Sequence, residues 1–96
     1  MNHVTLINPF EVPAGKEDEF MERWKQAGEY FRQREGFVST RLHQSLDPEA
    51  AYRFINVGVW ESPEHFRQAT STPEFQELLR GFPFSSHPAL YRLISE

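Results

Sequence analysis

The chain has 96 residues, a formal charge of −4, no cysteine and nine phenylalanines. A chain of this length forms one domain with a real core, and we expect residues 1–96 to be that domain. The absence of cysteine excludes disulfides and thiol chemistry and favours a cytoplasmic location. The acidic balance argues against nucleic acid as a partner, and no apolar run approaches the roughly 20 residues of a membrane span.

The first predicted elements are a strand and a long helix. Val4 to Val12 mixes β-branched and aromatic residues, and Asn8-Pro9 predicts an irregularity inside it because proline cannot donate to a ladder. From Lys16 to about Glu35 the apolar residues take helical spacing, and Gly36 follows them as a C-cap would. The apolar stripe of this helix consists of Phe20, Trp24, Ala27 and Phe31.

A hairpin follows the helix. Phe37 to Leu46 and Tyr52 to Trp60 have strand composition, and an Asp-Pro-Glu-Ala turn joins them.

The last part of the chain predicts helix and then strand. Ser62-Pro63 and Thr72-Pro73 each place an N-cap residue before proline at the first helical position, which predicts a broken helix or two short helices in series. Gly81 to Pro88 would be a loop, and Ala89 to Ser95 the last strand. The inward stripe of the helical part would be Phe66, Ala69, Phe75 and Leu79.

The order βαββαβ predicts an α+β, ferredoxin-like fold, with a four-stranded antiparallel sheet and helices on one face. A sheet with one face in water should alternate apolar and polar residues, but Ile55, Val57 and Val59 form an apolar row on the uncovered face. A second copy packed sheet against sheet would cover that row, so we predict a homodimer. The alternative cover is the chain's own tail or loops, but only eight residues follow Pro88, and they are already assigned to the last strand.

The other row of the third strand would face the helices and consists of Phe54, Asn56, Gly58 and Trp60. Burying an amide or an indole N–H without a partner costs about 1–3 kcal/mol. Either both groups are satisfied within a packed core, or they line a cavity between sheet and helices. Gly58 favours the cavity because it has no side chain to fill the space above the sheet.

Several segments together carry a family resemblance. "VPAGKEDEFMERW", "EGFVSTRLHQSLDP", "FINVGVWES" with "PEHF", and "TPEF" resemble, in order and spacing, the antibiotic biosynthesis monooxygenase (ABM) superfamily. The resemblance implies a dimeric α+β barrel. It also implies a cofactor-independent monooxygenase that oxidises a phenol, hydroquinone or anthrone with dioxygen.

The resemblance also implies site residues. Asn56 and Trp60 match an Asn and a Trp that border the substrate in the polyketide-oxidising members, and ungapped counting places a helical arginine of those members at Arg80. The tyrosine that accompanies their site falls at Phe66, so a phenol donor is lost there. Phe54 and Phe66 would hold the substrate ring.

Haem degradation, found in another branch of the family, is the poorer match. Asn8 and Trp60 could take two roles of that branch, and we also expect Asn8 to contact the substrate. The position of the axial histidine, however, is Leu79.

No cofactor fingerprint or metal-ligand spacing is present, so we expect neither a cofactor nor a metal. His65 or His87, on either side of the helical part, could accept a proton from the substrate. Two other functions remain open, a dimer that binds an aromatic metabolite without turning it over and a purely structural module.

Overall fold

The computed structural model describes residues 3–96 as one sheet with three helices packed on one of its faces. The strands are β1 (Val4–Glu11), β2 (Phe37–Gln44), β3 (Phe54–Trp60), β4 (Ser85–Ser86) and β5 (Ala89–Tyr91), and the helices are α1 (Glu17–Arg32), α2 (Pro63–Ala69) and α3 (Pro73–Arg80). This order confirms the α+β, ferredoxin-like fold. None of the helices in residues 3–96 is long and apolar enough to cross a bilayer.

The sheet is antiparallel throughout, with β3 between β2 and β1 and with both β4 and β5 paired to the other edge of β1. In the β1–β3 ladder, Asn8 lies opposite Asn56 and Ile7 lies opposite Val57. Successive residues of a strand point to opposite faces, so the two asparagines share the face that the helices cover.

The last strand departs most from the sequence prediction. The prediction of a single strand from Ala89 to Ser95 is wrong, because β5 ends at Tyr91 and residues 92–96 are exposed outside the sheet. β4 and β5 pair with β1 in one register, and the gap between them lies beside Asn8 and Pro9. Pro9 and Pro88 have no N–H to give to the ladder, which explains the gap. The irregularity predicted at Asn8-Pro9 is therefore found in the paired segment, as the gap between β4 and β5, whereas β1 itself is continuous.

Helix α1 begins close to the predicted position but ends earlier. It stops at Arg32 with Gln33 as its C-cap, so the prediction of Gly36 as the cap is wrong. Gly36 instead has a φ of +84° in the turn that leads into β2, a conformation that favours glycine. A Cβ at Gly36 would also overlap the His65 ring.

The first turn of α1 has no side-chain cap from Lys16. The Glu17 carboxylate instead ties the preceding turn to the helix, because it accepts a hydrogen bond from the Gly15 N–H at 2.9 Å. Hydrogen bonds from the backbone N–H groups of Glu17 and Gly15, together with the charge of Arg53, lower the pKa of Glu17.

The two proline-led helix starts are confirmed. Ser62 Oγ accepts from the His65 N–H at 3.2 Å, and Thr72 Oγ1 accepts from the Phe75 N–H at 3.1 Å. Each hydroxyl satisfies a backbone donor that the first turn leaves free. Because the second cap follows Ala69 so closely, the helical segment divides into α2 and α3.

A cluster of buried phenylalanines fixes α1 on the sheet, and we call it the phenylalanine cluster: Phe10, Phe20, Phe54 and Phe84. Phe20 is fully buried and stacks on Phe54 with ring centroids 4.4 Å apart. Burial of each such ring contributes about 1.5–3 kcal/mol. This cluster is the solid part of the core.

The other face of the sheet is bare among the described residues. Along β3 the residues facing the helices are buried, whereas Ile55, Val57 and Val59 are only half-buried. The Cα atoms span 16 Å in the thinnest direction, which is room for one sheet and one helix layer. Leu93 and Ile94, in the tail, are 72% and 85% exposed and do not cover this face.

Candidate functional site

A cavity of about 870 Å³ lies between the helices and the sheet. Asn8, Asn56, Gly58 and Trp60 line it from the sheet, and most of its other lining residues are aromatic or aliphatic. A concave, mostly apolar space of this size with a few polar groups is typical of small-molecule sites. The structure therefore favours a cavity beside Asn56 and Trp60 of β3 over a packed core in which both side chains are satisfied by the protein.

Gly58 gives the cavity its depth. An added Cβ would meet the Ser39 carbonyl oxygen at 3.5 Å and Leu6 Cβ at 3.8 Å, which are ordinary contact distances. Neither the backbone nor the surrounding packing demands glycine at this position. Its effect is to leave open space beside the Asn56 amide, whose Nδ2 lies 3.8 Å from the same Cβ position.

Asn56 is 9% exposed, and its amide is held in one orientation. Thr40 Oγ1 donates to Asn56 Oδ1 at 2.6 Å. Thr40 is the β2 residue opposite Gly58, so strand register brings its hydroxyl beside the amide. The Asn56 carbonyl oxygen thus has a hydrogen-bond partner, and the NH₂ group lies on the side of Gly58.

Asn8 is held by a backbone group. Its Oδ1 accepts a hydrogen bond from the His87 N–H at 3.1 Å, in the gap between β4 and β5. Asn8 lies directly opposite Asn56 and lines the same cavity. Two amides therefore meet on the cavity floor.

Trp60 is 2% exposed and is fixed by aromatic neighbours. Its ring makes edge-to-face contacts with Phe31, Phe37 and Phe66, with centroids 5.7, 5.5 and 5.5 Å away. Such pairs contribute about 0.5–1.5 kcal/mol each beyond the area they bury. Within residues 3–96, neither the Trp60 indole N–H nor the Asn56 NH₂ donates to a protein acceptor, so both are available to a bound molecule.

The structure brings Asn8, Asn56, Trp60 and Phe66 together but places Phe54 and Arg80 elsewhere. Phe54 lies inside the phenylalanine cluster, outside the cavity lining. The Arg80 side chain is 69% exposed, forms an ion pair with Glu77, and is outside the lining too.

The two candidate histidines also lie outside the cavity lining. His65 Nδ1 is 2.8 Å from Ser62 Oγ, at the start of α2. His87 Nε2 is 2.7 Å from a carboxylate oxygen of Glu11. Each ring is engaged by a local partner of its own.

Sequence reasoning missed several residues that line the cavity, and three of them act on its shape or charge. Thr40 holds Asn56, Arg23 brings a positive charge from α1, and Tyr30 ties α1 to the break between α2 and α3. The Tyr30 hydroxyl hydrogen-bonds the Ala69 carbonyl oxygen at 2.6 Å and also contacts the Thr72 hydroxyl. Arg23 immediately precedes Trp24 of the apolar stripe, which was the one signal of its position. The role of Thr40 depends on strand register.

None of the histidines in residues 3–96 lines the cavity, so the lining has no imidazole for a haem iron. Leu79, at the position of the axial histidine in the haem-degrading branch, lines the cavity with a hydrocarbon side chain that cannot bind iron. Residues 3–96 contain no group of three or more His, Asp or Glu side chains placed to hold a metal ion.

A family model described as antibiotic biosynthesis monooxygenase matches residues 3–80. The chain belongs to this family. A deoxynogalonate monooxygenase from Streptomyces nogalater is 30% identical over 89 residues, which cover 90% of this chain and 73% of that protein.

Solved structures agree with the family assignment. A protein from Shewanella loihica PV-4 that carries a provisional monooxygenase name is 41% identical, with a TM-score of 0.87 over 99% of this chain and 97% of that one. SnoaB, described as a cofactor-independent oxygenase from Streptomyces nogalater, has a TM-score of 0.87 over 100% of this chain and 97% of its own. Its identity is 23%, so this second likeness shows the fold alone.

Proposed function

We propose that residues 1–96 act as a single-domain, cofactor-independent monooxygenase that oxidises an electron-rich aromatic molecule, such as a phenol, hydroquinone or anthrone, with dioxygen. The observation that carries the proposal is the 870 Å³ cavity with Asn56 and Trp60 on its floor and aromatic walls around them. The relative named deoxynogalonate monooxygenase, which is 30% identical, supports the same class of reaction.

The chemistry needs no cofactor if the substrate is easily oxidised. An anthrone loses one proton to water or buffer and becomes an electron-rich anion, which gives one electron to dioxygen. The resulting radical and superoxide join through a new C–O bond. The peroxide then loses its O–O bond and the second C–H proton, so that a CH₂ group and O₂ become a carbonyl and water.

The protein would act by binding and by stabilising charge. The Asn56 NH₂ and the Trp60 N–H, from two residues that line the cavity, would donate to a substrate oxygen on which negative charge develops. Asn8 lies beside them, and the Phe66 ring would hold the substrate plane. Phe54 would contribute from beneath, through the phenylalanine cluster that supports the floor.

Oxygen uptake with a panel of hydroquinones and anthrones tests this proposal. Asn56→Ala and Trp60→Phe should each lower kcat/KM by about 100-fold, the usual effect of removing one donor to a developing oxyanion. Urea unfolding should show that both variants remain folded. Wild-type rates in both variants, on a substrate that the wild type turns over, would refute these roles.

A non-catalytic binder of an aromatic metabolite is the second candidate. It is favoured by the placement of His65 and His87 outside the cavity lining, which leaves no histidine there to accept a proton. Tight binding of hydroquinones or anthrones without oxygen uptake would establish it. Oxygen uptake that saturates with substrate would exclude it.

We also propose that two copies pack sheet against sheet through Ile55, Val57 and Val59. These half-buried apolar side chains form a continuous row, and Ile7 lies directly opposite Val57 on β1. Val57→Lys would place a charge in this interface and should halve the mass measured by light scattering. Met21→Lys, at a 44% exposed position on α1, is the matched control and should leave the mass unchanged. A dimeric mass in Val57→Lys would contradict the proposal.

A further inference from the structure

Each of the two amides on the cavity floor accepts a hydrogen bond from the protein at its oxygen atom. Asn8 Oδ1 accepts from the His87 backbone N–H at 3.1 Å, and Asn56 Oδ1 accepts from Thr40 Oγ1 at 2.6 Å. The two residues are directly opposite each other on β1 and β3. An amide has its acceptor on one side and its two donors on the other, so a bond to the oxygen determines where the NH₂ group points.

In the structure each amide oxygen faces a donor of the protein. The His87 N–H donates both to the Pro9 carbonyl oxygen at 3.0 Å and to Asn8 Oδ1, and because a backbone N–H can only donate, it favours the oxygen of Asn8 on its side. At Asn56, Nδ2 lies 3.8 Å from the place that a Cβ on Gly58 would take, in the space which that glycine leaves open. Together with the Trp60 N–H, the floor of the cavity therefore presents donors to a bound oxygen.

We propose that Thr40 is a positioning residue, whose hydroxyl holds the Asn56 NH₂ toward the substrate so that the site selects a deprotonated phenol over the neutral one. A phenolate oxygen only accepts hydrogen bonds, which matches a floor of donors. A neutral phenol also has a proton to donate, and the carboxylates that could accept it, Glu74 and Glu77, come from helix α3 and not from the floor. Hydrogen bonds to a charged oxygen are about twice as strong as those to a neutral one. This inference rests on the proposed function.

Other charged groups also line the cavity and act on the same bound oxygen. They are Arg23 from α1 and Glu74 and Glu77 from α3, of which Glu77 forms the ion pair with Arg80. Tyr30 lines it as well, with its hydroxyl bonded to the Ala69 carbonyl. All of these groups are unchanged when only residue 40 is replaced, so a comparison at that position isolates the Asn56 amide.

The probe is alizarin, a dihydroxyanthraquinone that is already at the quinone level and whose colour reports ionisation of its phenol. A visible pH titration with protein in excess gives the pKa of the bound phenol. In the wild type this pKa should be about one unit below that of free alizarin, a tenfold preference for the phenolate. Thr40→Val, which has the same shape without the hydroxyl, should lose most of this shift, and Thr40→Ser should keep it.

The outcomes separate this inference from the proposed function. An equal pKa shift in the wild type and in Thr40→Val overturns the role of Thr40. Absence of alizarin binding, or an unshifted or raised pKa in the wild type, overturns the donor floor itself. Oxygen uptake by the wild type is measured separately. If the wild type takes up no oxygen, the monooxygenase proposal is refuted, and the alizarin titration still tests the role of Thr40. If it takes up oxygen, the monooxygenase proposal holds even when Thr40→Val has no effect on the alizarin pKa.

Discussion

The layer between sheet and helices is solid at one end and hollow at the other. At the solid end, Phe54 of β3 stacks on Phe20 of α1 with centroids 4.4 Å apart. Four residues farther along the same strand, Gly58 has no side chain, and the cavity of about 870 Å³ lies there. At about 3.3 Å per residue the two positions are roughly 13 Å apart.

The contrast shows how one strand can serve two purposes. Close packing of phenylalanines at the solid end fixes the distance between α1 and the sheet. The hollow end can then remain open without collapse, because the helices are already held. The polar donors of Asn8, Asn56 and Trp60 border the hollow end. Variants at the two ends should therefore have different effects, on stability at one and on ligand binding at the other.

The largest effect is expected at the solid end. Phe20→Ala removes a fully buried ring from the phenylalanine cluster and should lower the free energy of unfolding by about 3–5 kcal/mol. Urea unfolding followed by tryptophan fluorescence measures this change. Met21→Ala, at the adjacent exposed position, should change it by less than about 0.5 kcal/mol. A loss below about 1 kcal/mol for Phe20→Ala would mean that the cluster does not hold the layer together.

A smaller effect, and one on binding alone, is expected at the hollow end. Gly58→Ala adds a methyl group at ordinary contact distances from its neighbours, so stability should change by no more than about 1 kcal/mol. The methyl group would occupy space beside the Asn56 amide and should weaken binding of a three-ring anthrone by about tenfold. A one-ring hydroquinone is the internal control and should be affected less. Equal weakening of both ligands would argue against loss of room as the cause.

The smallest expected effects concern the two arginines. Arg23 lines the cavity, whereas Arg80 is paired with Glu77 in solvent. Arg23→Gln should lower kcat/KM by about threefold, since a charge near the surface contributes less than about 1 kcal/mol. Arg80→Gln is the matched comparison and should remain within about twofold of the wild type. A larger loss of kcat/KM in Arg80→Gln than in Arg23→Gln would support the site role that the family resemblance implied for Arg80. It would mean that α3 turns toward the cavity when substrate binds.

Local patterns predicted much of the fold because they report short-range physics. The hydroxyl caps of α2 and α3 lie where Ser62-Pro63 and Thr72-Pro73 place them, since a cap depends on neighbours two or three residues away. The strict alternation of burial along β3 likewise follows from the period of a strand. Gly36 was misassigned because positive φ values occur both at helix ends and in turns. The last strand was misjudged because its break depends on Pro9, 79 residues before Pro88.

The candidate site divides in the same way. Asn56, Gly58 and Trp60 could be placed on one face from sequence, and the family resemblance implied the substrate-binding roles of Asn56 and Trp60. The direction of Arg80 could not be predicted, because it depends on how α3 is rotated after the break at Ala69. Thr40 gave no signal of its own, since its contact with Asn56 follows from the pairing of β2 with β3.

By itself, the sequence determined the order of the elements, the helix starts and the two unlike rows of β3, because caps and periodicity act between residues a few positions apart. Only the tertiary structure decided that Asn56, Gly58 and Trp60 border open space, that Asn8 faces Asn56, and that the Asn56 NH₂ group lies beside Gly58. These features depend on register and on the distance between layers, which are set by contacts between residues far apart in the chain.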